Sequence, residues 1–142
     1  MVDVIEAAFQ FVSVLRPERL ICWNNNNYRG TVLNLDGSCL GSPIRADYGG
    51  IIRNYAGFFL AGFSGYIAAS TNVLLVELTT IHRGLLLAVE MDIADMICYS
   101  DSMLSVKLLT YSNSPYHAYD VLLQDIKDLL SSRNFSIHCY LR

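Results

Sequence analysis

Three carboxylates stand where a carboxylate is least at ease. Asp36 closes the apolar run TVLNL and is followed at once by Gly37 and Ser38; Glu77 lies inside VLLVELTTI, and Asp101 follows MICYS. If those runs are a central strand, a buried helix and a second strand, each charge sits in apolar surroundings, where it is costly unless something positive answers it. A divalent metal could answer all three, and metal-assisted chemistry is what these residue types suggest. Each acid also has an ordinary explanation. Asp36 with Gly37 can be a turn, Glu77 near a helix start favours the macrodipole, and Asp101 can be an N-cap.

The elements that must position them can be read in order. Val4, Ile5, Ala8, Phe9, Val12 and Leu15 recur at helical spacing, with Pro17 as a stop, so an amphipathic helix is expected there. Leu20 to Trp23 is apolar, and the four asparagines Asn24 to Asn27 form a linker. Residues 1–27 are thus a helix and Asn-rich linker, and residues 28–142 the domain proper. Between Tyr28 and Tyr66 the pattern becomes TVLNLD, YGGIIRN and FFLAGFS, separated by Gly41, Ser42, Pro43 and by Ala56, Gly57. Short gaps predict an antiparallel meander of three strands.

Asn72 can cap a helix running to about Glu90, apolar on so much of its circumference that it must be buried against the sheet. Ala94 to Tyr99 reads as a strand. Ser100, Asp101 and Ser102 offer capping chemistry for a helix through Leu109, and Asn113, Ser114 and Pro115 break the chain. A helix from Tyr119 to Leu130 and a strand from Phe135 to Leu141 complete the order βββαβααβ. The expected class is α/β: a mixed five-stranded sheet, a meander plus two further strands, with helices packed on it.

The chain has 142 residues, 53% of them apolar, enough for one domain with a core. A net charge of −3 excludes a global basic field, so any nucleic-acid contact must be local or metal-mediated. Cys22, Cys39, Cys98 and Cys139 make no CxxC pair, which argues against zinc and a disulfide framework. No stretch approaches the roughly 18 apolar residues of a membrane span, and no secretory signal is seen. An intracellular protein, nuclear or cytoplasmic, with no membrane partner is expected. Oligomeric state is not legible.

The segments LNLDGS, ADYGGIIRNYAGFFLAGFS, VEL followed by HRGLLLA, and SDSMLSVKLL, in this order, resemble the plant ribonuclease H-like domain, related to the ribonucleases H of reverse transcriptases and retroelements. The resemblance spans about residues 23–142. It implies a nuclease that cleaves the RNA strand of an RNA–DNA hybrid, with Asp36, Glu77 and Asp101 as catalytic carboxylates and ligands of two Mg²⁺ (or Mn²⁺) ions. Hard cations of this kind prefer oxygen ligands, and a pair of them can activate a water and stabilise the departing oxygen. Gly37 and Ser38 fall where the family brings backbone close to the nucleic acid, and the RNA 2′-hydroxyl is the group to be read there. A tight strand exit explains them equally well. Gly49 and Gly50 match the family's GG, but a bulge accounts for them and no chemistry is assigned.

Departures from the pattern set further expectations. Val76 replaces a usual alanine and Tyr99 a common acidic residue. His82 reads as a structural residue of the buried helix and His117 as surface. Counting back from Arg142 puts Cys139, not His138, at the family's histidine position. The chain ends before the family's Asn and Ala-Asp elements and final helix, so a fourth carboxylate is absent from it. That predicts a weaker second ion, possible impairment of activity, and an under-covered sheet face that favours self-association. A noncatalytic interaction module, or an inactive fragment, is the alternative.

Overall fold

A computed structural model describes residues 12–14, 30–41, 44–68, 72–111 and 119–139. Its central run is β2 (Thr31–Gly41), which pairs antiparallel with β3 (Ile44–Arg53), which in turn pairs antiparallel with β4 (Phe59–Ala68). This is the expected meander. Its second turn is built by Asn54, whose side-chain oxygen accepts hydrogen bonds from the Ala56 and Phe58 amides at 3.0 and 2.9 Å. Gly57 takes the left-handed conformation there, φ 88°, which glycine adopts without steric penalty.

Helix α1 (Val73–Glu90) follows, and the Asn72 side chain caps it by accepting from the Leu75 amide. Next come β5 (Asp95–Ser100), α2 (Met103–Thr110), α3 (Asp120–Ser132) and β6 (Asn134–Cys139). Strand β5 lies parallel to β2, and β6 parallel to β5. Parallel neighbours need long crossovers, and the helices supply them.

The one element read wrongly is β1 (Val12–Val14), a strand where the spacing predicts helix. It pairs antiparallel with β4 and makes the sheet six-stranded, in the order β1-β4-β3-β2-β5-β6. Val12, Ser13 and Val14 also alternate with the period of a strand, and the hydrogen-bonding edge of β4 decides between the two periods. The rest of the expected N-terminal helix, the Asn-rich linker and His117 lie outside the described residues.

Along β2, Leu33 and Leu35 project into the core beside α1, with Ile52, Phe63, Ile81, Leu85 and Cys98 around them. Helix α1 approaches this closely because position 84 is glycine: a Cβ there would stand 2.7 Å from Leu33 Cδ2 and 2.9 Å from Leu35 Cδ2. Gly50 answers a similar need, since its Cβ would meet the Phe63 ring at 2.6 Å, and a Cβ on Gly49 would lie 3.0 Å from the Phe63 carbonyl oxygen. The sheet's irregularity falls between Ile52 and Arg53. Close packing, not a bulge, therefore explains the glycine pair.

Gly84→Ala is expected to destabilise the fold. In an open helix this change gains about 1 kcal/mol from propensity, but overpacking a filled core loses about 1–3 kcal/mol, so a net loss of up to about 2 kcal/mol should appear as a lower urea midpoint with an unchanged slope. A higher midpoint would refute the close-approach argument. Among the described residues no helix is long and apolar enough to cross a membrane. Cys98 and Cys139 are free thiols, and burial pushes the Cys98 thiol well above the usual range.

Candidate carboxylate site

Asp36 is not in a turn. It stands within β2, opposite Gly49 of β3, and is solvent-exposed. The last pair between β2 and β5 is Asn34 with Tyr99. Two residues beyond that pair come Asp36, still within β2, and Asp101, just past the end of β5, so parallel pairing brings both acids to one level along the strands. Parallel neighbours keep a common direction, so residues equally far past a paired position emerge side by side.

Asp101 is not the cap of α2. Ser102 takes that role, its hydroxyl accepting from the Ser105 amide at 3.3 Å. Asp101 is left exposed between strand and helix. Nor does Glu77 serve the dipole of α1: it is the fifth helical residue, and the first turn holds no acid. The capping, turn and dipole explanations for the three acids thus all fail against the geometry.

Glu77 is 8% exposed. Its carboxyl is pushed up from 4.5 to about 7, by burial first, then by the negative charge of Asp101, then by that of Asp36. The three carboxylates, from helix α1, strand β2 and the link after β5, therefore share one electrostatic neighbourhood. Among the described residues, no three His, Cys, Asp or Glu side chains close around a single point as a cage would. Mg²⁺ seldom uses such cages; one or two carboxylates with waters and substrate phosphates suffice. In donor type, the oxygens present fit that ion.

The sequence profile of the Reverse transcriptase-like family matches residues 34–142. The chain belongs to that family. No curated protein matches this Reverse transcriptase-like chain. Among solved structures it is similar to the RNase H1 of the halophilic archaeon Halobacterium salinarum, with TM-score 0.69 and 23% identity over 79% of this chain and 86% of that one. It is also similar to the N-terminal RNase H domain of a Mycobacterium tuberculosis protein, with TM-score 0.66 and 23% identity over 81% and 84%. A third is an RNase H1 isolated from compost, solved with an RNA/DNA hybrid, with TM-score 0.65 and 22% identity over 79% and 86%. The fold is that of ribonuclease H, with β1 as an added edge strand.

Not every flagged residue of this Reverse transcriptase-like chain joins the acids. The side chains of Gly37 and Ser38 lie outside the described set; their backbone continues β2 opposite Tyr48 and Asp47. His82 is half-buried on α1. His138 is exposed on β6, where Nε2 lies 3.2 Å from the Ser136 hydroxyl and the ring faces Tyr99 at 6.1 Å between centroids. Two features went unread in the sequence. Arg53 is buried at 6% exposure and donates from Nη1 to the Asn34 side-chain oxygen at 3.3 Å, two residues before Asp36. The Asn72 side-chain amide, while capping α1, donates to the Tyr119 hydroxyl at the start of α3. Charged or amide side chains inside apolar strand patterns are the signal that would have exposed the first; nothing local signals the second.

The raised carboxyl carries a pH prediction. The unfolded chain releases the Glu77 proton near pH 4.5, whereas the folded protein holds it until about 7. The folded state binds more protons across that window, so stability falls as pH rises through it and levels off above. Metal-free protein should lose on the order of 1–2 kcal/mol between those limits, reduced from the full linkage value by water near the site. Melting temperatures of wild type and Glu77→Gln, taken from pH 4 to 8, check this. The Gln variant should lack that part of the slope, and equal slopes would refute the assignment.

Proposed function

We propose that this domain is a metal-dependent ribonuclease that hydrolyses the RNA strand of an RNA–DNA hybrid. The observation that carries the reading is Glu77, a largely buried carboxyl set beside two further acids, one within β2 and one just past the end of β5. Folding gains nothing from like charges gathered in a low-dielectric place, and a cation would turn that repulsion into binding. Perturbed carboxylates cluster where chemistry is done.

Bound Mg²⁺ or Mn²⁺ would activate water for attack on phosphorus and stabilise the sugar oxygen that departs as the P–O bond breaks. Asp36, Glu77 and Asp101 would hold the ions, and the sheet would fix the separation of Asp36 and Asp101. Glu77, half protonated near neutral pH in the metal-free protein, would release its proton as a cation arrives. Gly37 and Ser38, next along β2, would bring backbone to the hybrid, where the RNA 2′-hydroxyl marks the strand to be cut. The hybrid bound to the compost RNase H1 supports a substrate of this class.

The test is a hybrid labelled on each strand in turn, incubated with purified protein and Mg²⁺ or Mn²⁺. Fragments of the RNA strand alone, stopped by EDTA, are the expected result. Hybrid binding with neither strand cut would replace the nuclease with a noncatalytic nucleic-acid module.

A further inference from the structure

Asp101 is flanked by serines, and a third lies one helical turn on. The Ser102 amide donates to the Ser100 hydroxyl at 3.1 Å, closing a short loop over Asp101. The Ser102 hydroxyl donates to the Ser105 hydroxyl at 2.8 Å while accepting from the Ser105 amide. Ser100 is 1% exposed and Ser105 fully buried.

Capping alone does not call for this arrangement. An N-cap needs the Ser102 oxygen and the amide of residue 105, which any residue there except proline would supply. The Ser105 hydroxyl adds nothing to the cap and would, if unbonded, lose about 1–3 kcal/mol in a dry interior. What it does is fix the rotor of Ser102. Ser102 in turn is held to Ser100, and the residue between those two is Asp101. Two hydroxyls, of Ser100 and Ser102, therefore hold backbone amides around one exposed carboxylate, and the third, of Ser105, holds that of Ser102.

Building on the metal-dependent reading above, we propose that Ser100, Ser102 and Ser105 are positioning residues that aim Asp101 toward Glu77 for cation binding. Ser105 acts at one remove. It touches neither the carboxylate nor any ion, and its removal leaves the helix cap in place. Partners behind a ligand matter on a known scale, with losses of about 10- to 100-fold in metal affinity when they are removed.

The experiment titrates Mn²⁺ alone into metal-free full chain by calorimetry, with no nucleic acid present. Ser105→Ala is expected to bind about 10-fold more weakly than wild type, and Ser102→Thr, which keeps a hydroxyl, to bind like wild type. Thr110→Ala is the control for general loosening of α2, because the Thr110 hydroxyl bonds to the Val106 carbonyl on the exposed side of the same helix. Its affinity should not change. Wild-type affinity in Ser105→Ala, or an equal loss in Thr110→Ala, overturns the positioning role and leaves the metal site standing. A wild-type chain that takes up no Mn²⁺ overturns both.

Discussion

Asp36→Asn should remove hybrid cleavage, by on the order of 10³-fold or more in the Mg²⁺-dependent rate, without unfolding the protein. The substitution keeps size and shape and removes one negative charge. Asp36 is exposed within β2, so no core contact is lost. Its charge is also one of the causes that raise the Glu77 carboxyl, so the variant should melt no lower than wild type near pH 7 and should ionise Glu77 more readily. Loss of activity with retained or improved stability is the combination a functional acid produces; a structural acid gives the reverse. Undiminished cutting by Asp36→Asn, checked on the labelled hybrid, would end the nuclease assignment to this site. Cutting and melting temperature falling together would mark Asp36 as part of the scaffold.

The largest effect on stability should come from Leu33→Ala. Leu33 has no exposed surface, sits three residues before Asp36 on β2, and packs where α1 comes nearest the sheet at Gly84. Gly84, facing it on α1, has no side chain to swing into the space. Buried Leu→Ala changes lose about 2–5 kcal/mol, and the upper part of that range belongs to sites that cannot collapse. A loss of about 3–4 kcal/mol is expected here, a large share of the roughly 5–15 kcal/mol that holds a domain folded. Urea unfolding followed by circular dichroism measures it. A loss under about 1 kcal/mol would mean that the α1–β2 contact is not the centre of the core.

Much of this fold could be read from the chain because its signals are local. The meander follows from Gly41, Ser42, Pro43 and from Ala56, Gly57 between apolar runs, and α1 from Asn72 and a long helical period. Its limits match the expected ones. The N-terminal misreading shows where such signals run out: Val12 fits both a helical period and an alternating one, and only the distant edge of β4 selects the strand. The cap of α2 was ambiguous for a similar reason, since Asp101 and Ser102 carry equally good acceptors and the exit of β5 decides between them. For the acids, residue type and apolar surroundings were legible. That Asp36 and Asp101 stand equally far past one β2–β5 pair was not, because it depends on parallel pairing across a long crossover.

The short strand β1 has a consequence for how the molecule behaves in a crowd. It covers only Gly62 to Ser64 on the outer side of β4, and with β6 it forms the two flanks of the described sheet whose outer backbone donors and acceptors no strand claims. Such a flank is a template for cross-chain growth, and at the β1 side the template is only three residues long. Removing residues 12–14 would expose the whole ten-residue edge of the glycine-bearing β4, and a longer template holds an arriving chain by more backbone bonds.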